Sequence, residues 1–140
     1  IDERLGLNVA LSADGMTLAT ASYFGDNQIG LVRVFRYSAG QWRPKGDAIY
    51  GKGSEYDYFG ESFGLSSDGN HFAASAVEGS GEGIPRVRIF SFNGTGWQQT
   101  GVDLKTSGTY DSVVGVGISA DCQRLAIDRQ FGGVGTTRAY

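Results

Sequence analysis

Arginine occupies one equivalent place three times, in Val32-Arg33-Val34-Phe35, Val87-Arg88-Ile89-Phe90 and Thr137-Arg138-Ala139-Tyr140. On an extended strand alternate side chains point to opposite faces, so the residues flanking each arginine go one way and Arg33, Arg88 and Arg138 go the other, as a ladder. Two chemistries fit a ladder of guanidinium forks. It receives carboxylates, sulfates or phosphates as a binding surface, or each arginine pairs with acidic or carbonyl groups at a turn and locks the fold. The structural outcome is the expectation, because a mid-strand arginine between covered sheet faces has few routes to open solvent.

Catalytic chemistry has little to work with. His71 is the only histidine, and it begins a strand directly after an Asp-Gly turn with no nucleophile beside it in sequence. Cys122 is the only cysteine, so it makes no internal disulfide, and neither a second cysteine nor further histidines complete a zinc set. No catalytic residue, metal ligand or cofactor site is expected, and the chain reads as a non-enzyme. Aromatic residues gather in the connections, with Tyr23-Phe24, Tyr56, Tyr58-Phe59 and Tyr110, while Trp42 and Trp97 fall within strands. Such rings stack on sugars or fill a partner's pocket, or else wedge between neighbouring units. The equivalence of the two tryptophans favours packing for them; Tyr56 and Tyr58 are the candidates for contact.

These residues are set in a repeat. Leu11-Ser12-Ala13-Asp14-Gly15 returns as Leu65-Ser66-Ser67-Asp68-Gly69 and as Ile118-Ser119-Ala120-Asp121-Cys122, so the aspartates are spaced by 54 and 53 residues. Trp42 with Gly46 four residues on returns as Trp97 with Gly101. Each unit reads as four strands: Leu7 to Leu11, Thr17 to Ala21, Leu31 to Tyr37 and Gln41 to Ile49 in the first, and Ser62 to Leu65, His71 to Ala76, Arg86 to Phe92 and Trp97 to Leu104 in the second. An Asp-Gly pair between apolar runs marks the first hairpin, since glycine accepts the positive φ of the turn. The fold class expected is all-β, with β-propeller-type blades of four antiparallel strands in about two and a half repeats. Repeat 1 covers about 5–58, repeat 2 about 59–111 and a partial repeat 3 about 112–140. A ring of roughly 4–8 blades is the usual closure, so a piece of a longer propeller is expected over an open stack with exposed sheet edges.

Composition agrees with many short strands and tight turns. Of 140 residues 23 are glycine and 2 proline, and 40% are hydrophobic, enough to build a core. Twelve basic residues face 15 acidic ones, interspersed with no basic stripe, which argues against a nucleic-acid partner. No run is apolar for long enough to span a membrane as a helix, and membrane insertion is not expected.

Phe59-Gly60-Glu61-Ser62, the Leu-Ser-x-Asp-Gly turn, the Leu18-Ala19 and Phe72-Ala73 pairs after it, the Val-Arg-Val-Phe strand and the Trp-x-x-x-Gly element together resemble the FG-GAP-like repeats of integrin-α-type β-propellers. The resemblance spans essentially the whole chain. It implies a disk of about seven blades, often extracellular or on the cell surface, that binds proteins or glycans. Blades of this kind often hold calcium in a loop of alternating acidic residues. The corresponding stretches here, Phe24-Gly25-Asp26-Asn27-Gln28 and Glu78-Gly79-Ser80-Gly81-Glu82, lack the D-x-D-x-D pattern, so ordinary solvated turns are expected over calcium sites. Asn93-Gly94-Thr95 is an N-glycosylation sequon in a turn, meaningful where the chain enters a secretory path. The function expected is a binding module for a protein or glycan outside the cell. The alternatives are a scaffold subunit contacting other blades or neighbouring subunits, and, less readily, a propeller attached to an enzyme.

Overall fold

The computed structural model describes residues 6, 8–24, 28–52, 56–78, 83–105, 112–131 and 134–139, with backbone alone for 78, 112, 114, 129–131 and 134–139. Three antiparallel meanders follow one another. The first holds β1 (Asn8–Leu11), β2 (Thr17–Ser22), β3 (Leu31–Ser38), β4 (Gln41–Pro44) and β5 (Ile49–Tyr50). The second repeats this with β6 (Phe63–Leu65), β7 (His71–Glu78), β8 (Ile84–Phe92), β9 (Trp97–Gln99) and β10 (Leu104–Lys105). The third comprises β11 (Ser112–Ile118), β12 (Leu125–Phe131) and β13 (Val134–Ala139). Register is shared: Leu11 faces Leu18, Leu65 faces Phe72 and Ile118 faces Leu125 at the mouth of each first hairpin.

The outer strand of each complete unit differs from the sequence reading. Instead of running unbroken from Gln41 to Ile49 and from Trp97 to Leu104, it is cut in two, and both pieces pair with the same third strand: β4 and β5 with β3, β9 and β10 with β8. The glycine of the Trp-x-x-x-Gly element lies in each cut. Gly46 at φ +80° and Gly101 at φ +71° are left-handed, a conformation that leaves the ladder and that glycine adopts without steric cost.

Each first hairpin turn is built by one hydroxyl and one carboxylate. Ser12 Oγ donates to Asp14 Oδ1 at 2.6 Å and accepts from Thr17 N at 2.9 Å, while Asp14 Oδ1 also accepts from Met16 N at 2.9 Å. Ser66 with Asp68 and Ser119 with Asp121 repeat the arrangement. The serine hydroxyl first, then the backbone N–H, holds the Asp14 and Asp121 carboxyls below their ordinary value. Gly15 and Gly69 sit left-handed at φ +69° and +66°, and Cys122 is forced into the same place at φ +58°. Such a conformation costs a residue with a Cβ about 1–2 kcal/mol, partly offset by the greater entropy glycine loses on folding. Cys122→Gly is therefore expected to stabilise the metal-free chain by roughly 0.5–1 kcal/mol. A urea midpoint at or below the parent's would contradict this.

The core lies between sheets. Phe72, Ala74, Ala76 and Phe90 of the second unit pack on Ala19, Ala21, Val32 and Val34 of the first, with Phe59 from the connection filling the space between. The other face of the second unit sends Ala73 and Val87 onto Val113, Leu125 and Ile127 of the third. Period-two alternation along β7 and β8 makes both interfaces from one sheet. The first strands are neighbours in turn, β6 lying beside β1 and β11, as the innermost strands of adjacent blades do. Among the described residues no helix is long and apolar enough to cross a membrane.

Candidate functional site

The two ends of the blades carry different chemistry. At one end the β2–β3 loop is bonded to the connection between the first two units: Gly30 bridges Phe59, and Tyr58 N and Phe59 N donate to the carbonyls of Gln28 at 2.9 Å and Ile29 at 3.1 Å. Only glycine fits at position 30, where a Cβ would meet the Phe59 backbone. Tyr56 and Tyr58, both left-handed at φ +59° and +47°, flank Asp57, which is 4% exposed. Asp57 Oδ2 accepts from Lys52 N at 2.7 Å and its carbonyl accepts from Val77 N at 2.7 Å, so the middle of the segment is pinned from both blades. Two stretches of backbone whose Cβ atoms would ordinarily keep them out of this conformation are thus held in it by their surroundings, an arrangement that clusters at functional sites.

The result is a pair of rings on the surface. Tyr56 is exposed and Tyr58 half-buried, with centroids 6.1 Å apart and planes tilted by 47°. Tyr23 and the exposed Phe24 pack at 4.4 Å on the β2–β3 loop at the same end. Tyr110, proposed for this aromatic set from sequence, lies outside the described residues, as do residues 25–27 and 79–82 of the two acidic loops.

The arginine ladder is resolved differently at each rung. Arg88 is 3% exposed, which removes it from any binding surface. It faces the first blade, with its guanidinium 4.5 Å from the Phe59 centroid and 5.1 Å from that of Phe90, and Nε donates to Gln99 Oε1 at 3.4 Å. In place of the expected carboxylate or strand-end carbonyl, the guanidinium meets two aromatic rings set edge to face, contacts that suit a planar, weakly hydrated cation. Burial lowers its pKa from the ordinary arginine value, opposed by the charges of Asp57 and Asp103. Arg33 is half-buried opposite Thr20, while its neighbours Val32 and Val34 enter the core toward the second blade. The side chain of Arg138 lies outside the described residues.

At the opposite end the hairpin turns of adjacent units meet. Ala13 N donates to Ser67 O at 2.9 Å, and Lys45 reaches from the first blade to Gly69 O at 2.6 Å and Asn70 Oδ1 at 2.8 Å. Lys45 lies 4.9 Å from the Phe92 ring, and its carbonyl accepts from Trp97 Nε1 at 2.6 Å. Burial lowers the Lys45 ammonium pKa from the ordinary lysine value. This clamp was not visible in sequence, where Lys45 is one more charged residue near a glycine. Trp97 packs edge-on to Phe72 at 5.0 Å between the blades, as its repeat position led one to expect. Its equivalent Trp42 is 42% exposed and meets only Tyr37, edge-on at 5.2 Å, among the ring contacts described.

The same end gives His71, which has no nucleophile beside it in sequence, neighbours in space. Asp68, His71 and the Cys122 thiol from the third unit's turn all place a donor atom within 4.8 Å of one another. Residues 51 apart meet because equivalent turns of neighbouring units stand side by side, which local sequence cannot show. Burial raises the pKa of the Cys122 thiol, the reverse of what activates a nucleophile. Asn93 is exposed in the β8–β9 turn, its Oδ1 accepting from Thr95 N, Thr95 Oγ1 and Gly96 N at 2.9–3.0 Å. A groove of about 420 Å³ between the first two blades is lined by Arg36, Arg43, Lys45 and Phe92 among others, with no carboxylate, imidazole or thiol.

No protein-family model and no curated protein matches the sequence. The chain is similar over 85% of its length to a chain in the crystal structure of the mitotic checkpoint complex, at TM-score 0.54 and 16% identity. Over 96% of its length it is similar, at TM-score 0.53 and 16% identity, to a chain from a structural and mechanistic study of two prolyl endopeptidases. It spans 32% of the first and 21% of the second. This likeness carries the architecture and does not extend to the FG-GAP-like family. The fold is all-β, propeller-type blades of four antiparallel strands, forming part of a propeller.

Proposed function

We propose that this chain belongs to a non-catalytic propeller of FG-GAP-like type that binds a protein or glycan through the loop end carrying Tyr56 and Tyr58. The observation that carries the reading is the tyrosine pair itself. A left-handed backbone at both tyrosines, on either side of a buried aspartate, fixes the direction in which each ring leaves the main chain toward the surface. The recurring Leu-Ser-x-Asp-Gly and Phe-Gly motifs support the family type, and with it an extracellular or cell-surface setting in which the exposed Asn93 is open to glycosylation. Protein partners are supported by the neighbour that was solved within the mitotic checkpoint complex.

The test uses a peptide display library and a glycan array, both screened with the parent chain and with a Tyr56→Ser, Tyr58→Ser double variant. Ligands selected by the parent should bind the double variant at least roughly tenfold more weakly, since aromatic anchors dominate such contacts. Selected ligands that bind both proteins equally would place the binding surface elsewhere.

A scaffold role is the second reading, and one observation favours it. Trp42, Tyr37, Leu11 and Val9 are exposed on the first blade. Trp42 is the repeat equivalent of Trp97, by which the second blade seats on the first, so the same docking mode is available for a further blade on that side.

A further inference from the structure

We infer that Asp68, His71 and Cys122 form a site for a zinc-like divalent cation that ties the second blade to the third. The only histidine and the only cysteine of the chain come from turns of different blades and converge, with an Asp68 carboxylate, to within 4.8 Å. One thiolate, one imidazole and one carboxylate form the mixed soft and borderline donor set that zinc takes, while calcium and magnesium take oxygen. Three protein ligands leave a fourth position for water.

The imidazole supplies the independent sign. His71 Nδ1 is shielded from solvent and has no hydrogen-bond partner, although Asp68 Oδ1 lies 3.8 Å away. A shielded ring nitrogen without a partner is costly, and a cation held between it and the Asp68 carboxylate would supply that partner. With zinc about 2.3 Å from sulfur and about 2.0–2.2 Å from nitrogen and oxygen, tetrahedral donors stand roughly 3.4–3.6 Å apart. The widest pair of the trio therefore needs to close by up to roughly 1.2–1.4 Å, within reach of χ rotations at a surface turn. Asp68 is already oriented for this, since Ser66 Oγ and Asn70 N hold its Oδ1 and leave Oδ2 with Asn70 Nδ2 at 3.2 Å. Binding displaces the thiol proton, which burial otherwise retains.

Position sets the site apart from its repeats. Thr17 and Arg124 stand where His71 stands, and Gly15 and Gly69 where Cys122 stands, so no other pair of turns in the chain repeats the donors. The left-handed cost of Cys122 is then borne at a turn where its sulfur has a use.

Cobalt(II) is the probe, titrated into the untagged, reduced 140-residue chain, with zinc competition and melting curves alongside. The parent should bind one cobalt with a thiolate-to-metal charge-transfer band and tetrahedral visible bands, and zinc should abolish them and raise the melting temperature. Cys122→Gly, which restores the turn residue of the other two copies, should remove the charge-transfer band and the zinc-induced shift. His71→Gln should weaken cobalt binding by at least roughly tenfold. Calcium should produce neither effect in any of the proteins. Absence of the charge-transfer band in the parent, or an unchanged zinc shift in Cys122→Gly, would overturn the assignment.

Discussion

Phe59→Ala should lower the free energy of unfolding by about 4 kcal/mol. The ring is fully buried at the meeting of two sheets, edge-on to Phe90 at 5.8 Å and beneath the Arg88 guanidinium. Its backbone is bonded to Ile29 and bridges Gly30, so the surroundings cannot move in to fill the space. A cavity that cannot collapse adds its own cost to the lost transfer energy. Trp42→Ala is the control, expected to cost under about 1 kcal/mol because its ring is already partly in water. Urea unfolding of the two variants with unchanged slope gives both numbers. A Phe59→Ala loss of less than about 1.5 kcal/mol would mean that the blades do not pack through this ring.

Arg88→Met should cost about 2–3 kcal/mol, and Arg33→Met less than half of that. Methionine keeps much of the apolar stem but gives up attraction to two ring faces and the bond to Gln99. Loss of the cation also leaves Asp57, 4% exposed, and Asp103 with less positive charge opposite them, although Arg86 still donates to Asp103 at 2.8 Å. Shedding the desolvation cost of a buried guanidinium works the other way, so the loss is smaller than for Phe59. Arg88→Lys should recover little, because a compact ammonium neither stacks on the rings nor spans the same donors. Melting curves of Arg88→Met that overlay the parent's would show the ladder to be dispensable for the fold.

The fold was legible because the repeat is. Ser-x-Asp fixes each first hairpin through a hydrogen-bond set that needs only residues five apart, and the recurrence of the later motifs in the same order marks the equivalent strands. The cut in the outer strand was legible in principle, since the repeated Gly46 and Gly101 mark it, but a glycine inside a strand pattern can also be a mere weak point. The partner of Arg88 was not legible. Phe59 reaches it from another unit, and only the assembled interface shows that an aromatic face, not a carboxylate, receives the charge. For the same reason sequence spacing joined neither Lys45 to the next blade's turn nor His71 to Cys122. Tyr56 and Tyr58 were identified as contact candidates on residue type alone; their left-handed backbone is the part that required coordinates.

The alternation of β7 and β8 also bears on how such a chain changes over generations. Phe72, Ala74, Arg88 and Phe90 answer to the blade before, while Ala73 and Val87 answer to the blade after, with one backbone between the two sets. A substitution on one face is thus screened by one neighbour and is nearly invisible to the other. A copied blade inherits two half-interfaces in place of a private core, and it diverges residue by residue in step with whichever neighbour it faces. Cys122 stands where the two sister turns carry glycine, and the turn its thiol meets belongs to one neighbour alone.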